Sequence, residues 1–432
     1  MNTIITTIVT AAVTYSTVTV PATSFESWYD EYNRNLTQEI KYEPSIEESD
    51  SKSEVGNEKF NYLYVNPVLH KFILHQPECY KPKKSFTFHY LYFYSSIWYL
   101  NNVDRRYGGK DYANIHRKTI TEIISRDIYD ELVSNSIKWN IIEENPYKKY
   151  QVGWFSKSYR LKEPFGINVQ RFIIEDRLIN RKINEHKMSL KKEIKHQPLP
   201  YQYLSMTNTF IDMDIASATQ LNKVKYLIHE PKKYDSNFYS ISEYDDGNYR
   251  FSVDEFGNRA HTNLTNLSTE LRQFLTVEGE PLAQIDISNS QPLFFYLHLK
   301  DLTDIPQSEK DKYRDIVETG KFYEFFMSKL NISFEKRGKF KHKILASIFF
   351  DKYRRKESRY IKVFKQDFPS ISAYIKKLRM KDYKTLARVL QQTESKFVIE
   401  GIVAEFIKYF GDSNEFISTI HDSVVVKTVS IR

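Results

Sequence analysis

Apolar residues between Ile120 and Trp139 recur at Ile120, Ile123, Ile124, Ile128, Leu132 and Ile137, the spacing of one amphipathic helix. Tyr150 to Leu161 alternates instead, with Gly153 at a predicted bend, and reads as a β-ribbon bearing Lys157 and Arg160. Phe172 to Lys195 is a charged, helical stretch that Pro198 and Pro200 bring to an end. From Gln284 to Leu299 an apolar lead-in, Ile285, meets Asp286, then a polar SNSQ turn, then Pro292 and an apolar run. That order predicts a strand ending in a carboxylate, followed by a helix capped by Ser or Asn. Phe416 to Val426 sets two β-branched runs on either side of His421, Asp422 and Ser423, which predicts a hairpin with Asp422 at its tip. In Lys336 to Tyr353, Arg337, Lys341, Leu345 and Phe349 recur every four residues, one slowly turning helical stripe with two cations at its start.

The 432 residues are 41% hydrophobic and 15% aromatic, enough for two or three domains with real cores. A formal charge of +8 suits a polyanionic partner. The single cysteine, Cys79, excludes an intramolecular disulfide and a thiolate zinc cluster, so a reducing cytoplasm is the expected setting, that of the host cell if the chain is viral. Thr3 to Val20 carries no charged side chain and approaches the length of a membrane span, but its many threonines and the lack of a basic start favour a disordered or loosely β-prone extension. Thr37 to Lys59 is polar and acidic and reads as a linker, so residues 1–58 are expected to be a flexible extension. Residues 59–165 then form an N-terminal accessory domain. Its helix and ribbon resemble a winged helix, with an ordinary helix packed on a hairpin as the alternative. Residues 166–250 are expected to be a thumb-like helical region, and 251–432 hold the segments that carry chemistry.

A lone strand-end aspartate is more often a turn former, so the weight of Asp286 depends on Asp422. Two carboxylates at a strand end and a hairpin tip can hold a pair of Mg²⁺ ions, which prefer oxygen ligands and leave coordination for water and phosphate. One such ion can activate a primer 3′-hydroxyl while the other neutralises the triphosphate and leaving pyrophosphate. Arg337 and Lys341 can grip a triphosphate, and Phe349 can set a flat ring against a base. A solvated basic turn before a buried helix is the plainer reading of that segment.

The order of aspartate strand, cationic helix and HD hairpin resembles motifs A (284–295), B (337–350) and C (416–426) of family A DNA polymerases and of their relatives, the phage and mitochondrial single-subunit RNA polymerases. Gly257 to Thr262 (GNRAHT) is similar to the family's G-R-x-H-T element with one residue inserted, and Leu390 to Phe406 looks like its glutamine-bearing helix. The likeness covers Gly257 to Val426. It implies an α+β right-hand fold, with an antiparallel palm sheet and helical fingers and thumb. It further implies that Asp286, Asp422 and the Ile287 carbonyl bind two Mg²⁺ ions, or Mn²⁺ in their place. Asp286, Asp422 and Lys341 would be catalytic, with Lys341 protonating pyrophosphate. Arg337, Lys341, Leu345, Phe349 and Gln291 would line the nucleotide site. Arg259, His261, Gln391 or Gln392, and His421 would meet the template and primer.

Three departures bear on the sugar. Motif C reads HDS where the DNA enzymes usually have HDE, and the serine form is familiar in the RNA polymerases. Gln291 stands where the DNA enzymes place a glutamate that blocks a ribose 2′-hydroxyl. Phe349-Phe350 replaces Tyr-Gly at the end of motif B. The expectation is a DNA-directed DNA polymerase from a phage or mobile element, working on a DNA template-primer with nucleoside triphosphates. No proofreading exonuclease and no membrane association are expected. The alternatives are a single-subunit RNA polymerase or primase, a non-catalytic replication initiator, and a metal-dependent nuclease.

Overall fold

In the computed structural model the described residues are 61–81, 84–103, 112–147, 156–350, 357–411 and 415–428. The expected extension, Gly153 and the first half of the ribbon lie outside them. The architecture is mixed α+β: mostly helical, with several small antiparallel sheets and one curled five-stranded antiparallel half-barrel. No helix among the described residues is long and apolar enough to cross a membrane.

The N-terminal part begins with β1 (Tyr62–Val65), α1 (Pro67–Leu74) and α2 (Thr87–Asn102). There follow β2 (Ala113–Asn114), α3 (Arg117–Ile123), α4 (Arg126–Lys138), β3 (Ile142–Glu144) and β4 (Ser158–Leu161). The single helix expected over 120–139 is two. Ile124 and Ser125 are extended, at ψ 166° and 136°, and Ser125 starts α4 with Asp127 in its first turn. The apolar spacing survives the break because both pieces bury isoleucines in one core, whereas Ile137 is exposed. The described half of the expected ribbon holds β4, the central strand of a three-stranded sheet between β2 and β3. Its cations face acidic partners in that sheet: Arg160 pairs with Glu143 at 2.5 Å and Lys157 with Glu144 at 3.3 Å.

Strand β5 (Gln170–Ile173) pairs antiparallel with β1, so Phe172 and Ile173 belong to a sheet, and helix α5 (Arg177–Ile194) starts only after Asp176. The Asp176 carboxylate accepts from the amides of Leu178 and Ile179, both at 3.0 Å, which is what starts the helix there. Ile179 and Ile183 of α5 pack into the N-terminal core, and Lys182 donates to the Ile123 carbonyl. The charged helix therefore presents its apolar stripe to the N-terminal part.

Helices α6 (Leu199–Thr207), α7 (Ile215–Tyr226) and α8 (Pro231–Asp245) surround the half-barrel, whose first strand is β6 (Ile211–Met213). The hairpin β7 (Phe251–Val253) and β8 (Ala260–Thr262) stands beside it. Strands β9 (Leu275–Val277) and β10 (Glu280–Asp286) join through Glu278 and Gly279, both at positive φ, the signature of a two-residue type I′ turn. Helices α9 (Ser290–Leu299), α10 (Gln307–Glu318), α11 (Phe322–Lys329) and α12 (Arg337–Leu345) follow, and α12 runs on as a π-helix, Ala346–Phe350. Then come α13 (Arg359–Asp367), α14 (Pro369–Lys381), α15 (Tyr383–Ser395), a second π-helix (Lys396–Val403) and α16 (Ala404–Phe410). The chain closes with β11 (Ile417–Ile420) and β12 (Ser423–Lys427).

The half-barrel has the order β11-β12-β10-β9-β6. One face buries Leu275, Val277, Ile420 and Val425 against α7 and α8. The other packs Ile285, Ile417, Val424 and Val426 against Tyr203, Leu204 and Val398. A third core, centred on Phe294, Phe295, Tyr313, Phe326 and Phe364, holds α9 to α15 together.

The N-terminal part meets α8 through aromatic rings. Tyr64 stacks on Trp98 at 5.6 Å and meets Tyr239 edge-on at 4.6 Å. Trp98 is fully buried there. Trp98→Ala is expected to lower the unfolding free energy by about 3–5 kcal/mol, read from urea denaturation. Tyr147→Ala, at a side chain 90% exposed, should change it by no more than about 0.5 kcal/mol.

Candidate active site

The strand expected to end in a carboxylate does so. Along β10, Gln284 and Asp286 are exposed while Ile285 turns to a core, the two-residue alternation of a half-buried strand. β10 pairs with β12 from Leu282↔Lys427 to Asp286↔Ser423, which brings the aspartate opposite the residue that follows Asp422. The Ile287 amide donates to the Asp422 carbonyl at 3.3 Å, closing the junction. His421 and Asp422 are the two residues of the turn between β11 and β12, with His421 at φ 56°. The helix after Asp286 starts from Asn289, also left-handed at φ 53°, but the Asn289 side chain makes no capping bond.

Asp286 and Ser423 are bonded directly: the Ser423 hydroxyl donates to Asp286 Oδ1. Gln284 Nε2 donates to the same oxygen at 2.8 Å and to Ser423 Oγ at 3.0 Å. Ser423 is therefore part of the carboxylate's surroundings. Burial raises both Glu394 and Tyr323, and the negative charge of Asp422 adds to the shift of each.

The GNRAHT segment forms the tip of the β7–β8 hairpin and leans on α15. A Cβ at Gly257 would lie 2.7 Å from Gln391 Oε1, so glycine is what lets the loop approach. Gln392 Nε2 donates to the Phe256 carbonyl at 3.3 Å. Asp254 shapes the turn by accepting from the Gly257 amide at 2.6 Å, the Arg259 amide at 3.1 Å and His261 Nε2 at 3.0 Å. Burial would raise the Asp254 carboxyl, but these bonds outweigh it and hold it at about 2. The His261 and His421 rings lie edge to face at 6.4 Å. Partial desolvation, followed by Arg259 and His261, holds His421 below the usual histidine value although the residue is exposed at its turn.

Arg259 is paired through Nε, at 2.8 Å, and Nη2 with Oε1 of Glu394. Oε2 of Glu394 accepts from Gln291 Nε2. Glu394 is buried, and it draws together the hairpin, α9 and α15. Burial, reinforced by Asp422, lifts its carboxyl to about 7 against the pull of Arg259 and Gln291.

On α12, Arg337 pairs with Glu324 at 2.5 Å. Its guanidinium and the exposed Lys341 ammonium lie 5.3 and 5.6 Å from the centre of the Tyr323 ring. The stripe does not continue outward. Leu345 is buried, and Phe349 is fully buried with its ring edge-to-face on Phe295 at 5.2 Å. The wider π turn from Ala346 resets the helical register, so an α-helical stripe drawn from Arg337 does not reach Phe349 on the same face. In this structure its ring offers no free face to a base.

Asp286, Asp422 and the Ile287 carbonyl carry oxygen donors, the kind that Mg²⁺ prefers, while no group of three His, Cys, Asp or Glu side chains able to hold a metal occurs among the described residues. Comparison with protein-family models, with curated proteins and with solved structures gives no match to this chain.

Glu394, Asp254, Tyr323, Glu324 and Gln284 were not reached from the sequence. Glu394 had a signal: Leu386, Leu390, Glu394 and Val398 recur every four residues, and the others are core leucines and a valine. A carboxylate on an otherwise apolar stripe needs a buried partner.

Phe349→Ala is expected to cost about 3–5 kcal/mol of stability in chemical denaturation, the effect of emptying a core site. Glu394, raised from 4.5 to about 7, takes up a proton on folding between those values. Its contribution is complete below pH 4.5 and is lost as pH rises through 7, about 3 kcal/mol in all. The stability of Glu394→Gln should lack that decline when unfolding is followed from pH 4.5 to 8.

Proposed function

We propose that the chain is a nucleotidyltransferase, a DNA-directed DNA polymerase of the family A kind that extends a primer from deoxynucleoside triphosphates. The half-barrel would be the palm and the helices α9 to α15 the fingers. The observation that carries the reading is the meeting of Asp286 and Asp422 across one antiparallel register, from segments 136 residues apart, with the cations of α12 tied to the same region through Tyr323. Neither a lone helix-capping aspartate nor a turn aspartate accounts for that convergence.

Asp286, Asp422 and the Ile287 carbonyl would hold two Mg²⁺ ions. When bound, they supply charge neutralisation at the triphosphate and a more acidic 3′-hydroxyl. The chain's own part is positioning. Arg337 exchanges Glu324 for a phosphate oxygen, which its forked donors suit. The Lys341 ammonium neutralises the same phosphates and can pass a proton from Nζ to the leaving pyrophosphate. His421 would lie at the primer end, while Arg259, His261, Gln391 and Gln392 sit on or against the hairpin that would face the duplex. Gln291, five positions after Asp286 and bonded to Glu394, would stand near the sugar.

An RNA-synthesising enzyme is the second reading, favoured by the bond from Ser423 to Asp286 in the HDS turn. A primer-extension assay with Mg²⁺, comparing dNTPs with rNTPs on DNA and RNA templates, separates the two. Asp422→Ala should lose at least about a thousandfold in extension rate, a removal of several kcal/mol of charge stabilisation. Extension by neither substrate with the wild-type protein would end the polymerase reading, and full activity in Asp422→Ala would end this assignment of the site.

A further inference from the structure

Glu394 is buried to 1% of its side-chain surface, yet it spends its two oxygens on different elements. Oε1 takes the inner edge of Arg259, Nε and Nη2, and Oε2 takes the amide of Gln291. A guanidinium has five N–H donors in a fixed plane, so a partner on one edge fixes where the other edge points. Nη1 of Arg259 has no other partner among the described residues, on a side chain 19% exposed. The Arg259 amide is held as well, by Asp254. A buried carboxylate that only had to be neutralised could be served by one cation. This one also restrains the residue that stands five positions after Asp286.

We infer that Glu394 is a positioning residue for nucleic-acid binding, clamping the inner edge of Arg259 so that its outer edge is presented to a duplex backbone in register with Gln291. The inference rests on the polymerase reading, in which Arg259 faces a template-primer. Glu394 itself touches no substrate. Without its charge, the Arg259 side chain would be free to rotate about the hairpin, and the ordering cost would fall on the binding step.

The test is binding of a fluorescent primer-template DNA duplex to the full chain, measured by anisotropy over a range of salt for wild type, Glu394→Gln, Arg259→Ala and the double variant. Glu394→Gln is expected to weaken binding about tenfold, the scale of one charge-assisted hydrogen bond. The double variant should bind no more weakly than Arg259→Ala alone, because the carboxylate acts through that arginine. Arg259→Ala should reduce the magnitude of the salt slope by about one, as for one lost phosphate contact. A merely structural role for Glu394 would instead give additive losses, and that result overturns the inference, as does duplex binding by Glu394→Gln at or above the wild-type level. If Glu394→Gln does not fold, Arg259→Lys decides. It keeps the charge but has no second edge to present while paired, so it should lose affinity about as Arg259→Ala does, and wild-type affinity in it overturns the inference. A wild-type protein that binds no duplex at all defeats the polymerase reading itself and this inference with it, an outcome distinct from any difference among variants.

Discussion

The pairing of β10 with β12 is the constraint on which the candidate site depends. From Leu282 to Asp286 the strand is matched residue for residue with Lys427 to Ser423, with Ile285 turned to one core and Gln284 and Asp286 exposed on the face where Leu282 packs against the other. A slip of one residue would turn Asp286 and Gln284 inward and carry Ile285 out to water. Burial of Ile285, Val424 and Val426 therefore sets the position of the carboxylate, although none of these residues has any chemistry of its own. On the partner strand, Val425 faces the opposite core, so β12 is locked from both sides and the hairpin tip has little freedom to drift. The Ile287 amide on the Asp422 carbonyl is the last rung of that ladder.

Around this rigid junction the polar groups are costly and specific. A buried carboxylate such as Glu394 loses its hydration and recovers it only through the donors of Arg259 and Gln291. In its ionised form such a group adds little net stability. Its effect is to make one arrangement of hairpin, α9 and α15 far better than others, because any other leaves a buried charge unpaired. Asp254 does the same on a smaller scale, fixing the turn through two amides and a histidine. The field of Asp422 then ties the two systems together, since it opposes a second charge at Glu394.

How far the sequence reading reached follows from the range of the interactions. The strand before Asp286 and the hairpin around Asp422 were legible because β-branched runs broken by short polar turns are local signals. The helix carrying Arg337 and Lys341 was legible for the same reason. Which strand neighbours which was not, since Asp286 and Ser423 are 137 residues apart in the chain and only the resemblance to family A polymerases joined them. The continuity of the 120–139 helix failed at Ile124 because apolar spacing reports a common core and not an unbroken backbone. The outward course of Phe349 failed at a π turn that no periodicity announces. That Lys157 and Arg160 lie beside Glu144 and Glu143 was not legible either, since those pairings join separate strands.

The N-terminal part reaches the hairpin of the site at Arg250, which immediately precedes β7. Its backbone amide donates to Asn263 Oδ1 at 2.7 Å, and Asn208 donates to its carbonyl at 3.2 Å, so its main chain belongs to the hairpin and the half-barrel. Its side chain belongs elsewhere: Nε pairs with Glu243 of α8 at 2.8 Å, Nη1 donates to Tyr99 of α2 at 2.7 Å, and Nη2 donates to Tyr239. The first strand of the hairpin is thereby anchored to the aromatic seam that joins the N-terminal part to α8. Moving α2 relative to α8 would require this guanidinium to give up either the Tyr99 or the Tyr239 hydroxyl, in a place where Tyr239 is itself buried. The N-terminal part is consequently a brace for the element that carries Arg259, whatever else it binds.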